Sequence, residues 1–241
     1  MSVELCTTRM ASNLKTILQC TFLSALIMGS MAAVADENFP GHEPDRRILK
    51  TQEKVDSLFE KGDYERAMFI YRHELAPLGD KYAQYMIGFM YLTGKGVPQD
   101  AAQASAWYRL AAERGEDVFV SARDELLMMF DQNSRPYSDS AYRELRRELS
   151  DVALLSGMIS ADLEILRRST QTRADRMGSS EELIDRRTRD YEPIVERLQK
   201  RLDYLIDLSF SDDFEPDIEQ KGIELLDDEV NREIALFESR R

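Results

Sequence analysis

Residues 83–115 read AQYMIGFMYLTGKGVPQDAAQASAWYRLAAERG. Two apolar stretches, each stepping by three and four, flank the turn Gly94-Lys95-Gly96-Val97-Pro98. That step is the helical period, not the period of two that marks a strand. Asp100 stands where the second helix opens and Gly115 where it closes, the residue types that cap helix starts and ends. The stretch therefore reads as one helical hairpin with a short turn.

Upstream, the pattern recurs. Gly62-Asp63-Tyr64 leads into Ala67, Tyr71-Arg72, Leu75-Ala76 and Gly79, much as Gln99-Asp100 leads into Ala104, Tyr108-Arg109, Ala111-Ala112 and Gly115. Ala67 to Ala104 and Tyr71 to Tyr108 are both 37 apart, and the match needs a one-residue shift near its end. Small Ala at these positions lets two helices approach closely, and a Tyr or Trp fills the groove beside them. Asp45 after Pro44, Gly62 with Asp63, and Pro77 with Gly79-Asp80 punctuate the earlier helices. Each hairpin would leave one apolar face bare, which a neighbouring hairpin covers. The expected fold class is all-α: a short solenoid of hairpins, then a region of longer helices.

The later hairpin resembles a Sel-one-like repeat, a variant of the tetratricopeptide-type hairpin. The resemblance runs through Ala83, Ile87-Gly88, Tyr91, Gly94, Gly96-Val97, Asp100, Ala104, Trp107-Tyr108, Ala111-Ala112 and Gly115. Residues 46–79 are similar to a degenerate copy. Beyond Gly115 the pattern departs at Phe119 and Arg123-Asp124, and Asp117–Phe130 reads as a capping helix. The resemblance implies an α-solenoid that mediates protein–protein contacts. It also implies that the first helix of a hairpin lines the concave face, with Ala83, Ile87, Gly88 and Tyr91 at core positions. Tyr82, Tyr85, Phe89 and Leu92 then share a neighbouring face. Such a stripe would either receive a partner segment or be covered by the protein's own first helix or C-terminal hairpin.

From Ser138 the character changes. Tyr142, Leu145, Leu149, Val152, Ser156, Ile159, Leu163 and Leu166 step alternately by three and four, a heptad seam widened by Leu155 and Met158. Arg167-Arg168 would complement the end of the helix dipole, with a loop at 171–178. Ser179 and Glu182 form a capping box for a helix carrying Leu183, Ile184, Tyr191, Ile194, Leu198, Leu202 and Leu205. Pro193 is expected to kink or restart that helix, with Asp190 as a second cap. A last amphipathic helix carries Ile218, Leu225, Leu226, Val230, Ile234 and Phe237. The region reads as a long-armed hairpin with a closing helix.

The N-terminus reads as an address. Arg9 and Lys15 precede the uncharged run TILQCTFLSALIMGSMAAVA at 16–35, which ends in Ala33-Val34-Ala35. Positive start, apolar core and small residues at an A-x-A site define a secretory signal, with cleavage expected after Ala35. Met10 is an alternative start. Cys6 and Cys20 would leave with the signal. The product is expected in the periplasm or secreted, without stable membrane insertion. The expected organisation is thus a signal at 1–35, a tail at 36–44, the repeat solenoid at 45–130 and a helical, coiled-coil-like region with an acidic tail at 131–241.

The full chain has 241 residues, 45 acidic against 32 basic, and a net charge of −13. This balance opposes nucleic acid as a partner, since phosphate binding needs a basic face. Arg146-Arg147 and Arg186-Arg187 with Arg189 interleave with Glu, as solvated, pairing helix faces do. After Ile206 there are twelve acidic and four basic residues.

Residues with reactive or metal-binding chemistry are few and scattered. His42 and His73 share no metal-ligand spacing. Gly94-Lys95-Gly96 lacks the spacing and the Ser/Thr of a phosphate loop. Asp212, Asp213, Glu215 and Asp217 do not follow an EF-hand pattern. No cofactor, metal or catalytic set is expected. The expected function is a non-enzymatic adaptor binding a protein of the cell envelope. A self-associating coiled-coil protein, forming a homo-oligomer, is the main alternative; a hydrolase of envelope polymers is a weaker one with no residue to nominate.

Overall fold

The computed structural model describes residues 39–41, 46–174, 181–208 and 216–239, with backbone alone for 169–174, 181–192 and 216–220. The signal segment, His42, Asp45, Asp212, Asp213, Glu215 and the side chains of Asp217, of the Ser179–Glu182 box and of Leu183, Ile184 and Tyr191 lie outside these residues. Every regular element among the described residues is a helix, and the fold class is all-α.

The first hairpin comprises α1 (Arg46–Glu60) and α2 (Tyr64–Ile70). The chain passes between them through Gly62, at φ +81°. Asp63 stands at the cap position but makes no capping hydrogen bond; its carboxylate faces Arg66 instead, at 3.4 Å. Beyond α2 the chain continues through a π-helical turn, Tyr71–Leu75, and a 3-10 turn, Ala76–Leu78. The second hairpin comprises α3 (Lys81–Thr93) and α4 (Ala101–Ala111), closed by a 3-10 turn, Ala112–Arg114.

The π-helical turn explains the one-residue shift between the two hairpins. The Tyr71 carbonyl accepts from the Ala76 N–H, five residues on. Its counterpart, the Tyr108 carbonyl, accepts from Ala112, four residues on. A π-turn holds one residue more than an α-turn. The extra residue is absorbed inside the helix, and both hairpins then end alike, in a 3-10 turn and a left-handed glycine, Gly79 or Gly115.

The structure departs from the sequence expectation in three places. First, the hairpin core does not end at 130. After α5 (Asp117–Leu127) comes α6 (Arg135–Leu149), and Ala141 and Tyr142 belong to the same buried cluster as α1–α4. Helix α6 lies close on α4 because Ser105 and Ser138, both buried, share a hydroxyl–hydroxyl hydrogen bond of 2.8 Å. Arg109 beside them reaches Asp139 at 2.8 Å and lies over the Tyr142 ring.

Second, the heptad seam is not one helix. Ser150 is extended, at ψ 156°, and separates α6 from α7 (Asp151–Ala174). Its hydroxyl accepts from the Ala153 N–H at 3.1 Å, so the serine starts a helix where the seam treats it as filler. The seam therefore serves two cores: Tyr142, Leu145 and Leu149 pack on the hairpins, whereas Leu155, Ile159, Leu163 and Leu166 build a second cluster. Leu155, and not Ser156, takes the buried position.

Third, the second cluster is the expected long-armed hairpin, α7 with α8 (Glu181–Leu208), closed by α9 (Pro216–Ser239), but its details differ. Its interior holds Leu198, Leu202 and Leu205 from α8 and Ile223, Val230, Ile234 and Phe237 from α9. Helix α7 runs to Ala174, past the start of the expected loop. Arg167 does not serve the end of its own helix but crosses to Glu229 and, at 3.0 Å, to Glu233 on α9. Helix α8 continues through Pro193 without restarting; one lost hydrogen bond is tolerated where Leu198, Leu202 and Leu205 beyond it are buried.

Candidate functional site

The repeat residues act through close approach. Helices α3 and α4 cross at Gly88, where a Cβ would stand 2.5 Å from the Tyr108 ring. Ala83, Ala104, Trp107, Ala111 and Ala112 are buried around that crossing, and Tyr91 is half-buried against it. Gly94 ends α3 at φ +71°, its N–H donating to Met90. Gly96, at φ +73°, brings the turn against the backbone of α2: a Cβ there would lie 2.6 Å from the Tyr64 carbonyl oxygen. Asp100 caps α4 through bonds from the Ala102 and Gln103 N–H groups. Lys95, between the two turn glycines, holds its ammonium about 5 Å from the Phe59, Tyr64 and Phe89 rings. The turn is therefore tied to α1 and α2 by cation–π attraction as well as by shape.

The stripe of α3 is interior. Tyr85, Phe89 and Leu92 are buried, and Tyr82 is half-buried. Tyr85 stacks on Tyr108 with ring centroids 5.1 Å apart and meets Phe119 of α5. Phe89 packs on Phe59 of α1, and Tyr82 meets the edge of Tyr71. Of the two readings of the stripe, coverage by the protein's own helices is the one found. The covering elements are α1 and α5; an uncovered aromatic face of that size would be costly in water.

What sequence reasoning missed is a buried cluster of four charges where the hairpins meet the bundle. Lys81 opens α3, Glu113 and Arg114 end the second hairpin, and Asp151 opens α7. The Lys81 ammonium lies 2.8 Å from Glu113 and 3.0 Å from Asp151, and donates to the Leu110 carbonyl at 2.9 Å. Arg114 forks onto Asp151 at 2.8 and 3.0 Å and donates to the Gly79 carbonyl. Glu113 in turn accepts from the Asp151 backbone N–H at 3.1 Å. Gln84, fully buried beside Lys81, donates to the Leu149 carbonyl.

Two cations and two anions balance, so the desolvation each suffers is offset by its neighbours. Burial pushes the Glu113 carboxyl above its ordinary value, against the pull of Lys81. Burial would raise Asp151 too, but Lys81 and Arg114 overcome it and hold that carboxyl below its ordinary value. Each charge is met by another within the fold, so the cluster joins segments rather than offering a nucleophile or an open ligand position. The one signal available in sequence was Ser150-Asp151, a helix-start pair inside an otherwise regular seam.

Elsewhere, His73 lies against Phe69, ring centroids 4.8 Å apart. Among the described residues no three His, Cys, Asp or Glu side chains gather as metal ligands would. No described helix is long and apolar enough to cross a membrane. Arg146 does not sit on a solvated face as expected; it is buried against the Tyr142 hydroxyl, at 3.1 Å. Arg168, by contrast, is exposed and pairs with Glu164 one turn back.

Comparison with known families bears on the glycine-crossed hairpin. Residues 81–116 carry a Sel1 repeat. The Sel1 match takes in α3, the Gly94–Pro98 turn, α4 and the closing 3-10 turn, the elements whose packing depends on Gly88, Gly96 and the small residues of α4. Three of the four clustered charges, Lys81, Glu113 and Arg114, stand at the two ends of the Sel1 repeat. No curated protein and no solved structure matches the chain. A Sel1 repeat is an interaction module, which supports protein partners in general.

Proposed function

We propose that the protein is an exported, non-enzymatic adaptor that binds a protein of the cell envelope through its helical hairpins. The observation that carries this reading is the Sel1 repeat at 81–116 set within a larger stack of helices. Export rests on the sequence at 16–35. Because the α3 stripe is used internally, the contact surface belongs on the outer faces. Large apolar side chains exposed there are Leu49, Phe69, Met128 and Tyr137, a residue type that anchors partners when it lies on a rigid support. The test places a photo-crosslinking amino acid at Phe69 or Tyr137 in the living cell. A discrete crosslinked partner in the envelope fraction supports the adaptor; absence of any adduct from both positions, with the protein folded and exported, overturns it.

Self-association is the second reading, favoured by Ile165, Leu225 and Leu236, which are exposed on the bundle. Light scattering decides it: a constant monomer mass across a wide concentration range removes this reading.

A further inference from the structure

Phe39, Pro40 and Gly41 precede α1 in the chain yet lie between the second hairpin and the bundle. Arg201 of α8 donates to the Pro40 carbonyl at 2.9 Å and the Gly41 carbonyl at 3.3 Å. The Phe39 ring lies under the Arg114 guanidinium, 3.7 Å from its centroid, and meets Tyr204 edge-on at 5.6 Å. Gly79 makes room for it: a Cβ there would stand 3.1 Å from the ring. Within the segment the ring folds back over Gly41, where a Cβ would come within 2.1 Å.

We infer that this junction is a peptide-binding site whose ligand is an extended aromatic-Pro-Gly segment, occupied in cis by residues 39–41 and open in trans to a partner protein's segment of the same chemistry. Three observations carry it. The contacts fall on features any such segment brings, one ring and two successive carbonyls, and the bound shape of the segment, with its ring folded over Gly41, leaves no space for a side chain there. The groups that grip it are fixed without it, since Arg114 is held by Asp151 and Arg201 by Asp162 at 2.7 Å. Asp162 is itself buried and forked by Arg197 at 2.8 and 2.9 Å. A site built from pre-paired, buried side chains keeps its shape when the ligand leaves, which is the condition for binding a second one. Only residues 42–45 link the segment to α1, so the resident copy competes at the high effective concentration that a short tether provides. The inference rests on the adaptor reading only for a partner as the source of the second segment.

The probe is a labelled peptide of residues 36–44, DENFPGHEP, added to the full chain. Wild type is expected to bind it weakly, and Phe39→Ala, which vacates the ring site, at least tenfold more tightly. Adding Arg201→Gln to Phe39→Ala removes the binding, and a peptide carrying Gly41→Ala binds at least tenfold more weakly than the parent. No saturable binding to a helical Phe39→Ala chain overturns the inference, as does equal binding of the parent and Gly41→Ala peptides. Should Phe39→Ala fail to fold, a protease site replacing residues 42–45 is cut after folding. The severed segment then stays bound and is displaced by excess peptide; spontaneous loss of it overturns the site. Crosslinking from Phe69 and Tyr137 is read separately, so failure here is distinct from failure of the adaptor.

Discussion

The hairpin core and the bundle core solve the same packing problem with different residues. In the hairpins, helices meet through missing or minimal side chains: Gly88 under Tyr108, Ala104 and Ala111 beside Trp107, Ser105 on Ser138. In the bundle, they meet through Leu, Ile and Val, and the glycines, Gly157 and Gly222, face open space. Close crossings need particular residues at particular positions, so they leave a signature. Aliphatic stripes tolerate many arrangements, and charges then select one: Arg167 with Glu229 and Glu233, Arg197 and Arg201 with Asp162. The two cores are joined where both methods fail, by the Lys81–Glu113–Arg114–Asp151 cluster.

The sharpest way to break the pair of cores apart is Lys81→Met. It leaves Glu113 and Asp151 buried with one cation fewer, and a loss of about 3–5 kcal/mol is expected. Urea denaturation followed by near- and far-ultraviolet circular dichroism should show one transition in wild type and two in the variant. A loss under about 1 kcal/mol with one transition would mean the cluster does not couple the cores.

Next in size is Gly88→Ala. The added methyl meets the Tyr108 ring, and overpacking of this kind costs about 1–3 kcal/mol. Tyr108→Leu in the same chain should recover part of it, measured as the urea midpoint. Equal stability of Gly88→Ala and wild type would show that the crossing does not need the glycine.

Acid separates the two carboxylates of the cluster. Asp151 has its folded value below the ordinary 3.8, so it contributes stability above that pH and loses it as pH falls through the lowered value. Glu113 lies above the ordinary 4.5, so its ionised form is a cost to the fold, relieved as pH drops through the raised value. Glu113→Gln should therefore flatten the pH dependence on the neutral side of 4.5, and Asp151→Asn should flatten it below 3.8. Thermal melts across pH 3–7 check this; identical curves for all three proteins would refute it.

The smallest effect has the opposite sign. Gly157→Ala adds a methyl to an exposed helix position with no neighbour within 4 Å. It should stabilise by up to about 1 kcal/mol through helix propensity alone. Gly88→Ala and Gly157→Ala thus move melting temperature in opposite directions, and a shared sign would collapse the contrast between the cores.

Much of the hairpin region was legible because its helix ends and crossings each demand a residue type. Gly79, Gly94, Gly96 and Gly115 all adopt positive φ, and Asp100 caps as its position implies. The α3 stripe was legible as apolar but not as to what covers it, because Phe59 and Phe119 stand some 30 residues to either side and no local pattern links them to it. The seam from Tyr142 to Leu166 misled for a related reason: a three-four period survives the break at Ser150, since each half faces a core of its own. The charge cluster was hidden because Lys, Glu, Arg and Asp at helix ends look alike whether solvated or buried.

The sequence by itself determined the helical content, the hairpin punctuation and the repeat, since period, caps and left-handed glycines act within a few residues of where they stand. Only the tertiary structure decided that α6 joins the hairpins, that four distant charges share one buried site, and that Phe39–Gly41 lies between the cores. Those outcomes depend on which surfaces meet, and burial turns an ordinary charge or an ordinary ring into a contact that nothing in its own neighbourhood along the chain announces.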